Sequence, residues 1–173
     1  MKSMNNQISV VNFLCVSIIL IYFLYVNNIF KNIQCNNTLS SQMTNILFHQ
    51  NIFHIISNIL GLYGLTYIEQ KIGKKNFIIL LIYLIICNSI IEVILNKITD
   101  NNECSIGLSG VIIGVFVWNK IVENDINKYL LLSITYYLLM PFVKPEIKIS
   151  FNGHIAGVIS GIIGGFFFNY FKQ

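Results

Sequence analysis

A serine flanked closely by glycines precedes one of the apolar segments of this chain. Ser109 lies in the run Gly107-Leu108-Ser109-Gly110. Glycines before and after the serine permit a tight turn and leave backbone N–H groups uncovered at a helix N-terminus, where an anion can bind. Ser109 is therefore a candidate nucleophile for acyl transfer. The competing interpretation is a packing face of small residues with no chemical role.

Hydrogen-bonding side chains open two other apolar segments. His49, His54 and Asn58 lie at the start of one, and His154 opens the last. Histidine suits a general base because its unperturbed pKa near 6.5 lets it accept and return a proton at neutral pH. His54 and Asn58 are four residues apart and share one helical face, whereas His49 is about 140° away from His54 around a helix. We therefore interpret His49 as a structural residue.

The composition indicates an all-α membrane protein. Hydrophobic residues make up 55% of the 173 residues, charged residues only 10%, and the mean hydropathy is +0.69. The net charge of +4 comes from lysines scattered between apolar runs, which argues against nucleic-acid binding. We expect no cofactor and no bound metal, and the surroundings of the protein are predicted to be a lipid bilayer.

Six apolar runs predict a single domain, 1–173, built as a bundle of six transmembrane helices. The fourth run has about 16 residues, or roughly 24 Å, which is less than the hydrocarbon thickness of a bilayer. Ser109, at its start, should therefore lie below the membrane surface, in a polar cavity that admits water. The predicted helices are 8–30, 51–68, 77–95, 107–122, 129–143 and 151–171.

The lysine distribution orients this bundle. The side that holds both termini carries seven lysines and the opposite side four, which predicts that both termini are cytoplasmic. The second, fourth and sixth helices then begin at the outer face, so His54, Ser109 and His154 lie at one depth. Gly157 and Gly161 share a face with His154, and such small residues allow close packing against the glycines of the fourth helix.

Three separate segments together resemble the rhomboid intramembrane serine proteases. They are Gly107-x-Ser109-Gly110, His154-x-x-Gly157-x-x-x-Gly161 and His49-x4-His54-x3-Asn58, and the resemblance extends over about 49–168. It implies a six-helix fold in a membrane, most simply the plasma (inner) membrane, with the active site open to the outer side. It also implies hydrolysis of peptide bonds in or near the transmembrane segments of protein substrates.

The resemblance assigns roles to individual residues. Ser109 would be the nucleophile and His154 the general base, without a carboxylate, since the only acidic residue well inside a predicted span is Glu92 on the third helix. His54, Asn58 and the backbone N–H of Ser109 would form the oxyanion hole. His49 and the glycines would be structural. The structural glycines are Gly107, Gly110, Gly157 and Gly161. The chain departs from the family at Ile113, because members commonly have an aromatic residue four positions after the serine.

Three alternative functions differ in the residues that they require. A zinc membrane protease would need His-Glu-x-x-His, whereas the spacing here is His-x4-His without the glutamate. A transporter would be expected to contain paired ionisable residues or broken inverted repeats. A noncatalytic rhomboid-like protein that binds or escorts membrane clients is the most serious alternative, because a fold does not establish an activity.

Overall fold

Helices are the only regular elements in the part of the chain that the computed structural model describes, residues 9–29, 36–100, 105–125, 135 and 150–172. The all-α prediction is confirmed for these residues. The helices are, in chain order, α1 (Val10–Val26), α2 (Leu39–Asn45), α3 (Ile52–Gly64), α4 (Thr66–Ile72), α5 (Lys74–Ile98), α6 (Ser109–Val122) and α7 (Phe151–Lys172).

Three of these helical stretches are long and apolar enough to cross a membrane. They are the stretch Ile52–Ile72 that joins α3 and α4, the whole of α5, and Phe151–Tyr170 of α7. The helices α1 and α6 are apolar but shorter, with 17 and 14 residues. The described part of the chain is therefore helical, and three of its stretches have the length and composition of membrane-spanning helices. The fifth predicted helix, 129–143, lies outside the described residues, so the six-helix bundle stays a prediction.

The first predicted helix is shorter in the structure than the hydropathy suggests. The run without a charged residue continues to residue 30, but α1 ends at Val26. The Asn27 amide donates to the Phe23 carbonyl (2.7 Å), and Asn28 adopts a left-handed backbone with φ +57°. Asparagine tolerates this conformation because its short polar side chain bonds locally. The two asparagines therefore end the helix before the uncharged run ends.

One predicted loop contains a helix. The sequence predicts a polar loop over 31–45, and this was wrong for residues 39–45, which form α2. Thr38 caps α2, because its hydroxyl accepts a hydrogen bond from the Ser41 N–H (3.3 Å). Just ahead of this helix, the Asn37 side-chain Oδ1 accepts a hydrogen bond from the Asn96 side-chain amide of α5 (3.3 Å).

The core of the described structure is α6, in which ten of the 14 residues are buried. Its closest neighbour is α7, and glycines set the distance between the two backbones. A Cβ added at Gly157 would lie 2.2 Å from the Gly110 carbonyl oxygen, and one at Gly161 would lie 2.5 Å from the Gly114 oxygen. The other faces of the bundle expose large apolar side chains, as lipid-facing surfaces do, including Phe13, Leu20, Phe23, Leu60, Ile82, Phe166 and Phe167.

Candidate active site

The first turns of α3, α6 and α7 meet at one end of the molecule, which we call the Ser109 end. Ser109 is the first residue of α6, His54 lies in the first turn of α3, and His154 lies in the first turn of α7. The Ser109 hydroxyl contacts His154, and Gly107 packs against the His54 ring. The structure therefore brings these predicted site residues together from three helices that are distant in sequence.

The Ser109 Oγ lies 3.0 Å from the His154 Nε2. His154 is only 4% exposed, and its backbone N–H donates to the Ser150 carbonyl (3.2 Å), within the turn that starts α7. Which of the two atoms donates depends on the tautomer of the imidazole. A neutral imidazole at this distance from a hydroxyl is placed to remove the proton of that hydroxyl during nucleophilic attack.

Gly107 allows the loop ahead of α6 to approach α3. Its φ is +104°, a conformation that L-side chains rarely adopt, and its N–H donates to the Asn45 carbonyl (3.1 Å). A Cβ at this position would lie 2.6 Å from the His54 Nε2. Both the backbone angle and the contact with the imidazole therefore require glycine.

The N-terminus of α6 provides uncovered backbone donors. No side chain caps this helix, whose N-cap residue is Leu108. The first N–H groups of a helix have no partner within the helix and carry its positive dipole end. At α6 they begin at Ser109 itself, so a negative charge that develops beside the Ser109 hydroxyl meets these donors.

The two predicted side-chain donors of α3 occupy different positions. His54 lies beside Gly107 and lines the cavity in front of Ser109. Asn58 lies one turn deeper, is 2% exposed, and donates from its amide to the His54 carbonyl (2.9 Å). An amide nitrogen has two hydrogens and this bond uses one. The structure therefore places His54 and Ser109 at the same cavity, whereas the direct role of Asn58 stays a prediction.

His49 lies beside His54 and is fully buried. The two rings meet edge to face with their centroids 5.0 Å apart. Burial, and then the nearby His54, lower the pKa of His49 to about 4, against the opposing influence of the Leu47 carbonyl and the Asn58 side chain. A neutral His49 is therefore placed to support the ring of His54.

A small polar cavity opens in front of Ser109 and His154. It offers about 20 Å³ to the centre of a water molecule, enough for at least one water. No group of three or more His, Cys, Asp or Glu suited to a metal ion occurs among the described residues. The cavity is lined by Gln42, Ile46, His54, Asn88, Glu92, Ser105, Ile106, Gly107, Ser109, Gly110, Ser150, Gly153 and His154.

Several of these lining residues were not predicted as site residues. Glu92 stands out in the sequence as an acid inside an apolar run, but nothing in that run identifies its partner. The structure identifies Ser150, whose hydroxyl donates to the Glu92 Oε1 (3.1 Å) and accepts from the Gly153 N–H (2.9 Å). The signal that marks Ser150 in the sequence is its place directly ahead of a helix, which is typical of a capping residue.

Comparisons with known proteins identify the family of this chain. The family pattern described as Rhomboid domain matches residues 36–171. The chain is 24% identical to a protein of Acanthamoeba polyphaga mimivirus that is named for the rhomboid family, over 87% of this chain and 85% of that protein. It is 22% identical to Rhomboid-like protein 15 of Arabidopsis thaliana, over 73% of this chain and 35% of that longer protein.

Proposed function

This chain belongs to the rhomboid family, and from that premise we propose that it is an intramembrane serine endopeptidase. It would hydrolyse peptide bonds in or near the transmembrane segments of other membrane proteins. The observation that carries this proposal is the 3.0 Å contact between the Ser109 Oγ and the His154 Nε2 at the buried start of α6. A hydroxyl and an imidazole at this distance, beside a polar cavity, support nucleophilic catalysis.

The proposed reaction proceeds in two steps. The Ser109 Oγ attacks the scissile carbonyl carbon while His154 takes the hydroxyl proton and then delivers it to the leaving amine, so that an acyl-enzyme forms on Ser109. A water molecule in the cavity then attacks the acyl carbon and gives its proton to His154, and the Ser109 oxygen leaves. The proton returns from His154 to Ser109, which regenerates the starting state.

The tetrahedral intermediates carry a negative oxygen that needs hydrogen-bond donors. The Ser109 N–H and the His54 side chain are the proposed donors, and Asn58 contributes either its second amide hydrogen or the orientation of α3 through its bond to the His54 carbonyl. Removal of one such donor typically lowers kcat by a factor of about 10²–10³. Because Gly107 has no side chain, the loop ahead of Ser109 can pack against the His54 ring.

The proposed substrates are single helices that reach the cavity from the bilayer. A peptide bond inside a helix is shielded, so a substrate should unwind locally before it reaches Ser109. We propose that both termini of the enzyme are cytoplasmic, that the Ser109 end opens to the outer side, and that the plasma (inner) membrane is the location. The lysine distribution supports this orientation.

A noncatalytic protein that binds or escorts membrane clients is the second candidate. Names such as Rhomboid-like protein 15 denote family resemblance and not activity. A protein selected only to bind clients needs neither a hydroxyl nor an imidazole at the start of α6 and α7, yet Ser109 and His154 are present and in contact. This contact favours the protease.

A cleavage assay separates the two candidates. Purified protein in liposomes is mixed with a generic single-helix substrate, and the product is followed by gel and mass spectrometry for the wild type, Ser109→Ala and His154→Ala. Wild-type cleavage with a loss of about 10⁴-fold or more in either variant supports the protease. Equal cleavage by all three proteins, or client binding without cleavage, would contradict it.

A further inference from the structure

One buried carboxyl at the Ser109 end has no part in the proposed chemistry. Glu92 lies in the membrane-spanning α5, is 3% exposed, and lines the same cavity as Ser109 and His154. An ionisable side chain inside a membrane span is costly and usually has a function. The catalytic scheme above assigns it none.

Glu92 is connected to α7 through the serine that caps this helix. The Ser150 hydroxyl donates to the Glu92 Oε1 (3.1 Å) and accepts from the Gly153 N–H (2.9 Å). The Ser150 carbonyl accepts from the His154 N–H (3.2 Å). Glu92 therefore fixes the side-chain rotamer of Ser150. Ser150 in turn accepts hydrogen bonds from the backbone N–H groups of Gly153 and His154.

The same face of α5 holds the first turn of α7 at a second point. Asn96 and Thr99 follow Glu92 by four and seven residues, so the three side chains share a face. The Asn152 amide donates to the Asn96 Oδ1 (2.7 Å) and to the Thr99 Oγ1 (2.9 Å). Hydrogen bonds at Ser150 and at Asn152 thus attach the first turn of α7, which carries His154, to α5.

The opposite side of this turn is closed by α6. A Cβ at Gly110 would lie 2.7 Å from the Gly153 carbonyl oxygen, and a Cβ at Gly153 would lie 3.0 Å from the Glu92 Oε1. The first turn of α7 is therefore held between the backbone of α6 and the polar face of α5. If the α5 side of this clamp is released, the turn can move away from Ser109.

We propose that Glu92 is a positioning residue for His154, acting through Ser150 to hold the imidazole at reacting distance from the Ser109 hydroxyl. This inference rests on the proposed function for its kinetic consequences. Its structural content, the order of the first turn of α7, can be measured without catalysis.

The kinetic test compares Glu92→Gln, Glu92→Met and Ser150→Ala in liposomes with the generic substrate. Gln retains an oxygen that accepts from the Ser150 hydroxyl, so kcat should stay within about threefold of wild type, whereas Met removes it and should lower kcat by about 10- to 100-fold. KM should change by less than about twofold, because no substrate contact is removed. Ser150→Ala should match Glu92→Met, and the double variant should lose little more than either single variant.

Glu69→Met is the matched control, because Glu69 is a second carboxyl that is 3% exposed and lies at the other end of the α3–α4 stretch. It should leave kcat at the wild-type value. A wild-type kcat in both Glu92→Met and Ser150→Ala, strictly multiplicative losses in the double variant, or an equal loss of kcat in Glu69→Met would each overturn the inference. Ser150→Ala decides the question if Glu92→Met does not fold.

Hydrogen–deuterium exchange of residues 150–156 separates this inference from the proposed function. Exchange should rise in Glu92→Met and Ser150→Ala relative to wild type and to Glu69→Met, because the Gly153 N–H loses its ordered acceptor. Unchanged exchange would overturn the positioning role even in an active enzyme. If the wild type does not cleave substrate but the two variants show the expected rise in exchange, the proposed function alone is contradicted.

Discussion

Two carboxyls of equal burial stand at helix N-termini at opposite ends of the molecule. Glu69 of α4 accepts hydrogen bonds directly from the Val10 N–H (2.7 Å) and the Val11 N–H (3.0 Å), at the start of α1. Glu92 of α5 reaches the start of α7 through the Ser150 hydroxyl (3.1 Å). Glu69 uses the affinity of a carboxylate for the positive end of a helix, whereas Glu92 bonds to a serine that caps one.

The difference lies in what each anchored helix carries. The first turn of α1 presents no residue that contacts Ser109, so Glu69 needs only to join α1 to α4. The first turn of α7 carries His154, so a displacement of about 1 Å there affects the reaction. A buried carboxyl that anchors a helix start therefore contributes mainly to stability at the Glu69 end and, as we infer, to kcat at the Ser109 end.

The most damaging test of the Ser109 end is to separate α6 from α7. In Gly157→Ala the added Cβ would lie 2.2 Å from the Gly110 carbonyl oxygen, a backbone atom that cannot rotate away. We expect a loss of about 100-fold in cleavage rate and about 1–3 kcal/mol of stability, measured by product formation and by thermal unfolding in detergent.

Gly64→Ala is the control, since a Cβ at Gly64 meets nothing within 4 Å. This variant should cleave substrate at the wild-type rate. Wild-type activity in Gly157→Ala would mean that the contact between α6 and α7 does not set the distance between Ser109 and His154.

The Glu69 end should respond in stability alone. Glu69→Met removes the acceptor of two backbone N–H groups, and hydrogen bonds to charged groups are among the stronger ones, so the free energy of unfolding should fall by about 2 kcal/mol. Chemical denaturation of the solubilised protein measures this, with kcat determined on the same samples. A lower kcat at unchanged stability would erase the distinction between the two carboxyls.

The smallest expected effect is a pH dependence due to His49. Burial, with the adjacent His54, lowers the pKa of His49 to about 4, below the value of about 6.5 expected in the unfolded chain. As the pH falls, His49 therefore takes up a proton in the unfolded state before it does so in the folded state. Its contribution to the free energy of unfolding is fully present above pH 6.5 and is lost as the pH falls towards 4. Between pH 7.5 and 5.5 the loss should be about 1 kcal/mol.

The measurement is the unfolding free energy at both pH values for the wild type and for His49→Gln. The difference between the two pH values should be smaller in the variant, because glutamine does not titrate, while other groups contribute equally to both proteins. An identical pH dependence in the two proteins would show that His49 does not behave as a buried neutral imidazole.

The sequence predicts helix starts better than the contacts between helices. Glycines around Ser109 and the spacing of His154, Gly157 and Gly161 are local signals, and α6 and α7 begin where these signals indicate. The hydrogen bond from the Asn58 side-chain amide to the His54 carbonyl is also local. The four-residue spacing of His54 and Asn58 is equally compatible with an Asn58 amide that points into the cavity, so the spacing alone does not predict this bond.

The anchoring of α7 could not be predicted in the same way. Glu92 and Ser150 are 58 residues apart in sequence, and either side chain alone is compatible with several partners. Hydropathy also misses short polar helices such as α2, whose buried residues Ser41, Gln42 and Asn45 are all polar and whose start is indicated by the capping residue Thr38. Local chemistry is therefore readable from the sequence, whereas the partner of a buried polar group depends on the packing of the whole bundle.

The most direct measurement of the central claim is the site of a covalent adduct. The membrane-reconstituted protein is treated with a serine-directed fluorophosphonate, and peptide mass spectrometry locates the phosphonyl group. Labelling of Ser109 in the wild type, lost in Ser109→Ala and strongly slowed in His154→Ala, is the predicted result. An adduct on another serine, or labelling of Ser109 at the same rate without the His154 imidazole, would contradict the proposed nucleophile and its base.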